Sequence, residues 1–319
     1  VTGGLSDLGL ALAAHLAARG AGQVWLLGRR LPEAGSAGAA AVEKIAATGC
    51  DVRLLQVDVT DRAALAEAFG THLLPSSRPL AGVFHLAGLL DDAPLSRLDW
   101  ARFNTVLSPK VDGSWFLHEL TRDLALDHFV VFSSIASVFG THGQANHVAA
   151  NTFMDALVAA RRADFLPGLS INWGAWGELG TVVRLGILDR IRQQGVEGFD
   201  TATGLAVLDR LMASGEGSKV VTRMDWNRML PILQATAGAA MYEELRHSPA
   251  AAAASAERIV PPKMSAKQAV PLIPARSWVF PLGKGMRRAS ARQCSASSSV
   301  TPPAAISRER AFTAATRPK

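Results

Sequence analysis

Cysteine is scarce. The 319 residues carry only Cys50 and Cys294, too few for a disulfide framework, and a reducing, cytoplasmic setting is expected. No stretch reaches the roughly 18 apolar residues of a membrane span. The nearest, residues 8–18, is interrupted by His15 and reads as a helix. The opening residues do not read as a secretory leader, and Val1 stands where a methionine would, so the expectation is a piece of something longer. Charged residues make up 19% against 49% hydrophobic, which excludes a wholly disordered, collagen-like or disulfide-scaffold protein. The length suits one large domain or two ordinary ones.

The net charge of +6 suggests a polyanion binder only until it is divided along the chain. Residues 249–319 hold 12 Lys+Arg against 2 Asp+Glu, which leaves 21 against 25 in residues 1–248. The basicity belongs to the tail, and the remainder gives no reason to expect nucleic acid. The tail itself has only Trp278, Phe280 and Phe312 as aromatics, which makes a nucleic-acid-binding arm the poorer reading of it.

Short apolar runs alternate with amphipathic stretches from residue 1 to about 163, the pattern of βαβ units and a parallel sheet. Strands are predicted at 23–27, 52–57, 82–86, 129–132, 169–172 and 219–222. Helices are predicted at 9–19, 37–48, 62–69, 100–107, 111–123, 146–163 and 203–214, with a loop-and-helix excursion over 174–199. Val1 and Thr2 read as the end of a first strand whose beginning is missing, a truncation expected to reduce stability. After about residue 246 the periodicity stops in an alanine run and a Pro-, Ser-, Ala- and Arg-rich segment. Two parts are therefore expected: a folded domain over 1–246 and a disordered basic tail over 247–319.

Several motifs carry chemistry. Thr2-Gly3-Gly4-Leu5-Ser6-Asp7-Leu8-Gly9 is a glycine-rich turn between a strand end and a helix start, where backbone approaches a pyrophosphate held by the helix N-terminus. A tight turn without ligand would look similar. Gly28-Arg29-Arg30 ends the second strand, where an adenosine ribose lies in dinucleotide folds, and arginine there favours a 2′-phosphate; a solvated pair is the alternative. Asp58, followed by Val59, suits either the adenine amino group or the N-cap of the next helix. Further on stand Phe84-His85-Leu86-Ala87-Gly88, Ser108-Pro109-Lys110, Phe132-Ser133-Ser134, Gln144-Ala145-Asn146-His147 with Asn151, and Asn172-Trp173-Gly174-Ala175-Trp176.

This ordered set resembles the ketoreductase domain of modular type I polyketide synthases and its relative in animal-type fatty acid synthases, within the short-chain dehydrogenase/reductase superfamily. The resemblance covers roughly residues 1–242. It implies an α/β fold with a Rossmann-type doubly wound parallel sheet. It also implies NADPH as cofactor, bound by Thr2, Gly3, Gly4, Leu5, Ser6, Leu8, Gly9, Arg29, Arg30, Asp58, Val59, Ala87 and Gly88. The implied substrate is a β-ketoacyl thioester on the phosphopantetheine arm of an acyl carrier protein, and other synthase domains are the implied neighbours. Ser134 matches the family's serine, Lys110 its lysine and Asn151 its asparagine. Taken singly, these three read equally as a strand-end cap, a solvated side chain and a helix-surface amide.

Two departures matter. His147 stands where the family has its proton-donor tyrosine, and the chain's one tyrosine, Tyr242, lies beyond the last predicted strand. Imidazole reaches about 2 Å less far than a phenol hydroxyl, so reduction is expected to be severely impaired, with any residual activity following a histidine pKa. Ser6 takes the third glycine position of the turn, which is expected to weaken NADPH binding. Leu90-Asp91-Asp92 resembles the motif of the B stereochemical class, and Phe139 stands where A-type members have tryptophan, which implies the D (3R) alcohol. No carrier-protein attachment motif follows; the tail composition fits an out-of-frame reading of GC-rich DNA as well as a disordered linker. The competing readings are a catalytically silent structural domain, or a fragment of a decaying synthase gene.

Overall fold

The computed structural model describes residues 1–76, 78–234 and 280–281. Tyr242, Cys294 and the rest of the 247–319 segment lie outside the described residues. In chain order the elements are α1 (Asp7–Ala18), β1 (Gln23–Gly28), α2 (Ala37–Ala46), β2 (Asp51–Gln56), α3 (Arg62–Ala68), β3 (Gly82–His85), α4 (Trp100–Thr121), β4 (His128–Ser134), α5 (Ala136–Phe139), α6 (Ala145–Ala163), β5 (Leu169–Trp173), α7 (Thr181–Arg184), α8 (Leu188–Gln193), β6 (Val196–Glu197), α9 (Thr201–Ser214), β7 (Ser218–Val221), β8 (Arg223–Met224), α10 (Trp226–Gln234) and β9 (Phe280–Pro281).

Polar caps decide where the major helices begin. Ser6, Ser36, Asp61, Asp99 and Asp200 each accept a hydrogen bond from the backbone N–H three residues on, satisfying one of the donors a helix start leaves free. The N-cap of α3 is thus Asp61, not Asp58. The oxygen Oδ1 of Asp58 instead accepts from the Thr60 N–H at 3.0 Å and the Thr60 hydroxyl at 2.8 Å, closing a turn after β2.

The sheet is parallel and built around the chain start. β1 pairs with β2, and β3, β4, β5 and β7 follow in order. Thr2 bridges Leu27 of β1 and His85 of β3, both in parallel, giving the spatial order β2, β1, residues 1–2, β3, β4, β5, β7. This is the Rossmann-type arrangement, with only two residues in its central position. β9 adds antiparallel to β7, inside a segment expected to be disordered.

Alternation along the strands sends side chains into two cores. Val130 and Phe132 of β4 meet Leu169, Ile171 and Trp173 of β5 with Leu12 of α1 and Leu205 and Leu208 of α9. Phe129 and Val131 meet Leu65 of α3, Leu117 of α4 and Met154 and Val158 of α6. Each such fully buried side chain contributes about 1.5–3 kcal/mol, and together they fix the sheet between two helical layers.

The long helix differs from its expectation. Separate helices were expected over 100–107 and 111–123, yet α4 runs unbroken through Pro109. Proline removes one backbone donor, but Val106, Lys110, Gly113 and Leu117 along the same helix are all buried, and that packing carries the helix past the lost bond.

Candidate functional site

The clefts open at the C-terminal ends of the parallel strands, the usual ligand position in such sheets. A smaller one of about 450 Å³ is lined by Gly3, Leu5, Ser6, Gly28, Arg29, Arg30, Asp58, Val59, Ala87 and Gly88. The turn that forms its floor depends on glycine. Gly3 has φ +67°, and a Cβ there would lie 2.8 Å from the Ala87 backbone nitrogen; at Gly9 it would lie 2.4 Å from the Gly3 carbonyl oxygen. Thr2, Gly4 and Gly9 are buried beneath the turn. Thr2 Oγ1 and His85 Nδ1 are 2.7 Å apart, and burial, with the Lys110 charge nearby, pushes the His85 pKa down to about 3.

The serine of the turn is fully engaged. Ser6 Oγ donates to the Gly3 carbonyl at 2.8 Å and accepts from the Gly9 N–H at 3.1 Å. Arg29 and Arg30 are exposed on the cleft wall. A narrow glycine floor leading to two arginines and an aspartate fits a dinucleotide cofactor in its chemistry. Among the described residues no group of three or more His, Cys, Asp and Glu is placed to hold a metal.

The larger cleft, about 1000 Å³, brings Lys110, Ser134 and His147 to one cavity together with Leu8, Phe139, Trp173 and the excursion after β5. Ser134 ends β4, and its hydroxyl accepts from the Ala136 N–H at 3.1 Å. Lys110 reaches across from α4, its Nζ donating to the Phe132 carbonyl at 3.1 Å. Burial lowers its pKa to about 8, against which the Asp155 carboxylate pulls upward. Asp155 thus favours the charged ammonium against the pull of burial.

His147 lies in the first turn of α6, and its Nδ1 is buried with no hydrogen-bond partner. Burial and then the Lys110 charge push its pKa down to about 3. Both effects favour the neutral imidazole over the imidazolium. Asn151 sits one turn further along α6, fully buried, with Nδ2 donating to the His147 carbonyl at 2.7 Å; it supports the wall without lining it.

Asp91 and Asp92 are tied down rather than loosely solvated. Arg102 pairs with Asp91 through both carboxylate oxygens, and holds that carboxyl below the usual range. Asn146 Nδ2 donates to the Asp91 carbonyl at 2.8 Å, and Gln144 Nε2 to Asp92 Oδ2 at 2.7 Å. The loop is thereby fastened to the start of α6, beside His147.

Sequence reasoning missed the support below the site. Asp155 accepts from the Ser137 hydroxyl at 2.7 Å, from Asn172 Nδ2 at 2.8 Å and from the Ser170 hydroxyl. Its signal was present, since residues 147, 151 and 155 recur at helical spacing on one face. Arg184 of α7 lines both clefts and carried no signal of its own.

A KR-domain family model matches residues 1–178. The mycoketide-CoA synthase of Mycobacterium tuberculosis is 42% identical over 257 residues, covering 78% of this chain and 6% of that protein. The spectinabilin polyketide synthase system protein NorB of Streptomyces orinoci is 36% identical over 307 residues, covering 92% and 13%. Among solved structures, an A1-type ketoreductase has a TM-score of 0.73 at 36% identity, covering 80% of this chain and 52% of that one. The first ketoreductase of the tylosin polyketide synthase has a TM-score of 0.64 at 38% identity, covering 73% and 50%. The chain thus spans a small fraction of the synthases and about half of the solved ketoreductases. With its sheet, its glycine turn and the Lys110, Ser134 and His147 cavity, the chain belongs to the KR family of polyketide synthase ketoreductases, oxidoreductases of the short-chain dehydrogenase/reductase fold that use a nicotinamide cofactor.

Proposed function

We propose that this domain is built to reduce a β-ketoacyl thioester on an acyl carrier protein with NADPH, within a multidomain synthase, and that His147 leaves it severely impaired. The observation that carries the reading is the convergence of Lys110, Ser134 and His147 on one cleft that adjoins the glycine turn. Arg29 and Arg30 favour a 2′-phosphate over a free ribose hydroxyl.

Gly3, Ser6, Arg29 and Arg30 line the cleft that would hold the cofactor, whose chemistry when bound would be hydride donation, its own C–H bond breaking to leave oxidised nicotinamide as the carbonyl carbon gains the hydride and the π pair goes to oxygen. The Ser134 hydroxyl is placed to donate a hydrogen bond to that oxygen, and the Lys110 ammonium favours negative charge in the same cavity. The missing part is the proton. A neutral imidazole donates N–H far less readily than a phenol relayed to an ammonium, and the shorter side chain adds misplacement. Losing general-acid assistance removes about 10²–10⁴-fold in rate, and a displacement of about 1 Å can remove roughly 10²-fold. A silent domain retained for its bulk differs from this reading only in lacking cofactor binding and rescue.

Incubating the His147→Tyr protein with NADPH and a β-ketoacyl carrier protein, then analysing the released chain by mass spectrometry and chiral chromatography, tests the reading. The D (3R) hydroxyacyl product is expected; no product from a folded variant that binds NADPH refutes it, and the L alcohol refutes the stereochemical part.

A further inference from the structure

The first residue of α1, Asp7, carries a carboxylate that the cofactor reading leaves unexplained. A dinucleotide phosphate is held at such a helix start by free backbone N–H groups and by the positive end of the helix dipole. Here two of those groups are already taken by side chains of the turn itself. Gly9 N–H donates to Ser6 Oγ at 3.1 Å, and Leu8 N–H donates to Asp7 Oδ1 at 2.8 Å. The second oxygen of Asp7, Oδ2, accepts from the Gly180 N–H at 2.7 Å. Gly180 lies immediately before α7 with φ +85°, in the left-handed region that glycine tolerates. Asp7, Ser6 and Gly180 all line the larger cleft.

We propose that Asp7 is an internal anion that competes with the cofactor's phosphates for the N-terminal end of α1 and latches the segment before α7 across the cleft. The inference rests on the reading of the glycine turn as the NADPH site. An arriving phosphate meets a helix end where the Leu8 and Gly9 donors are occupied and whose dipole is already offset by a negative charge. It must displace the carboxylate, breaking the Gly180 contact, or bind beside a like charge. Either route weakens binding, by roughly tenfold for one like charge in a partly solvated cleft.

NADPH titrations, followed by the enhancement of dihydronicotinamide fluorescence, separate the outcomes for the full-length chain, Asp7→Asn and Asp7→Ala. Asparagine removes the charge and keeps one acceptor oxygen, enough for the Gly180 or the Leu8 N–H but not both; alanine removes the charge and both acceptors. Binding about tenfold tighter in both variants is expected, with the gap to the native chain narrowing as added salt screens the repulsion. Equal or weaker binding in both variants, with native far-UV circular dichroism, overturns the competition while leaving the cofactor reading intact. Tighter binding in Asp7→Ala alone overturns the role of charge and assigns the competition to the latch. No binding in any of the three proteins overturns the cofactor reading and the inference together.

Discussion

Removing the carboxylate of Asp155 should destabilise the domain through the floor of its active site. Ser170 and Asn172 are fully buried on β5, and both donate to Asp155. In Asp155→Ala the Ser170 hydroxyl loses its acceptor, which costs about 1–3 kcal/mol for a buried unpaired group. Asn172 keeps the Ser133 and Ser137 hydroxyls at 3.1 and 2.8 Å, so it loses only a charge-assisted bond, about 1 kcal/mol. The Ser137 hydroxyl can turn wholly to the Ser134 carbonyl at 2.9 Å. The total is about 3 kcal/mol, a fall of roughly 6–12 °C in Tm for a domain of this size. Thermal unfolding followed by far-UV circular dichroism reads it directly. Asp155→Asn, which keeps the volume, should fall less and should lower the Lys110 pKa further, since Asp155 is the group that raises it. A change below about 2 °C in Asp155→Ala would refute the account of this network.

Acid should weaken the fold through His85. Its folded pKa of about 3 lies below the unfolded value near 6.5, so the unfolded chain binds the extra proton and stability falls as pH drops through 6.5 toward 3. His85 alone should cost about 2 kcal/mol at pH 5 relative to pH 8, and His147, lowered the same way, adds to the fall, both read from urea midpoints; a flat profile would contradict the buried His85 ring. Gly9→Ala should lose at least about 2 kcal/mol and measurable NADPH binding, because its Cβ would lie 2.4 Å from the Gly3 carbonyl oxygen; unchanged titrations would sink the tight-turn argument. Arg29→Ala with Arg30→Ala should weaken NADPH by about tenfold or more while leaving NADH unaltered, and equal losses for both cofactors would remove the 2′-phosphate assignment.

Much of the fold was legible because its signals are local. The predicted strands at 23–27, 82–86 and 169–172 fall within one residue of β1, β3 and β5, since fully buried parallel strands read as short apolar runs. The split at Pro109 failed for the opposite reason: its continuity depends on Lys110 and Leu117 packing under α4, which no local propensity reports. Residues after 222, where β8 and α10 form, carried too weak a pattern to be placed. At the site, the glycine turn, Lys110, Ser134 and His147 were readable as a set because motif order survives in the sequence. The pairing of Asp7 with Gly180 was not, since 173 residues separate them. Nor was the downward push on the His147 pKa, which comes from burial and from a lysine on another helix.

NADPH oxidation in the presence of a β-ketoacyl thioester, compared between the native chain and His147→Tyr from pH 5 to 9, tests the central claim most directly. The account expects at least a hundredfold higher turnover from the tyrosine variant, and no rise in native activity as pH falls through 6.5. Substantial native turnover, or a native rate that climbs with an ordinary histidine titration, would contradict it and make His147 a working acid.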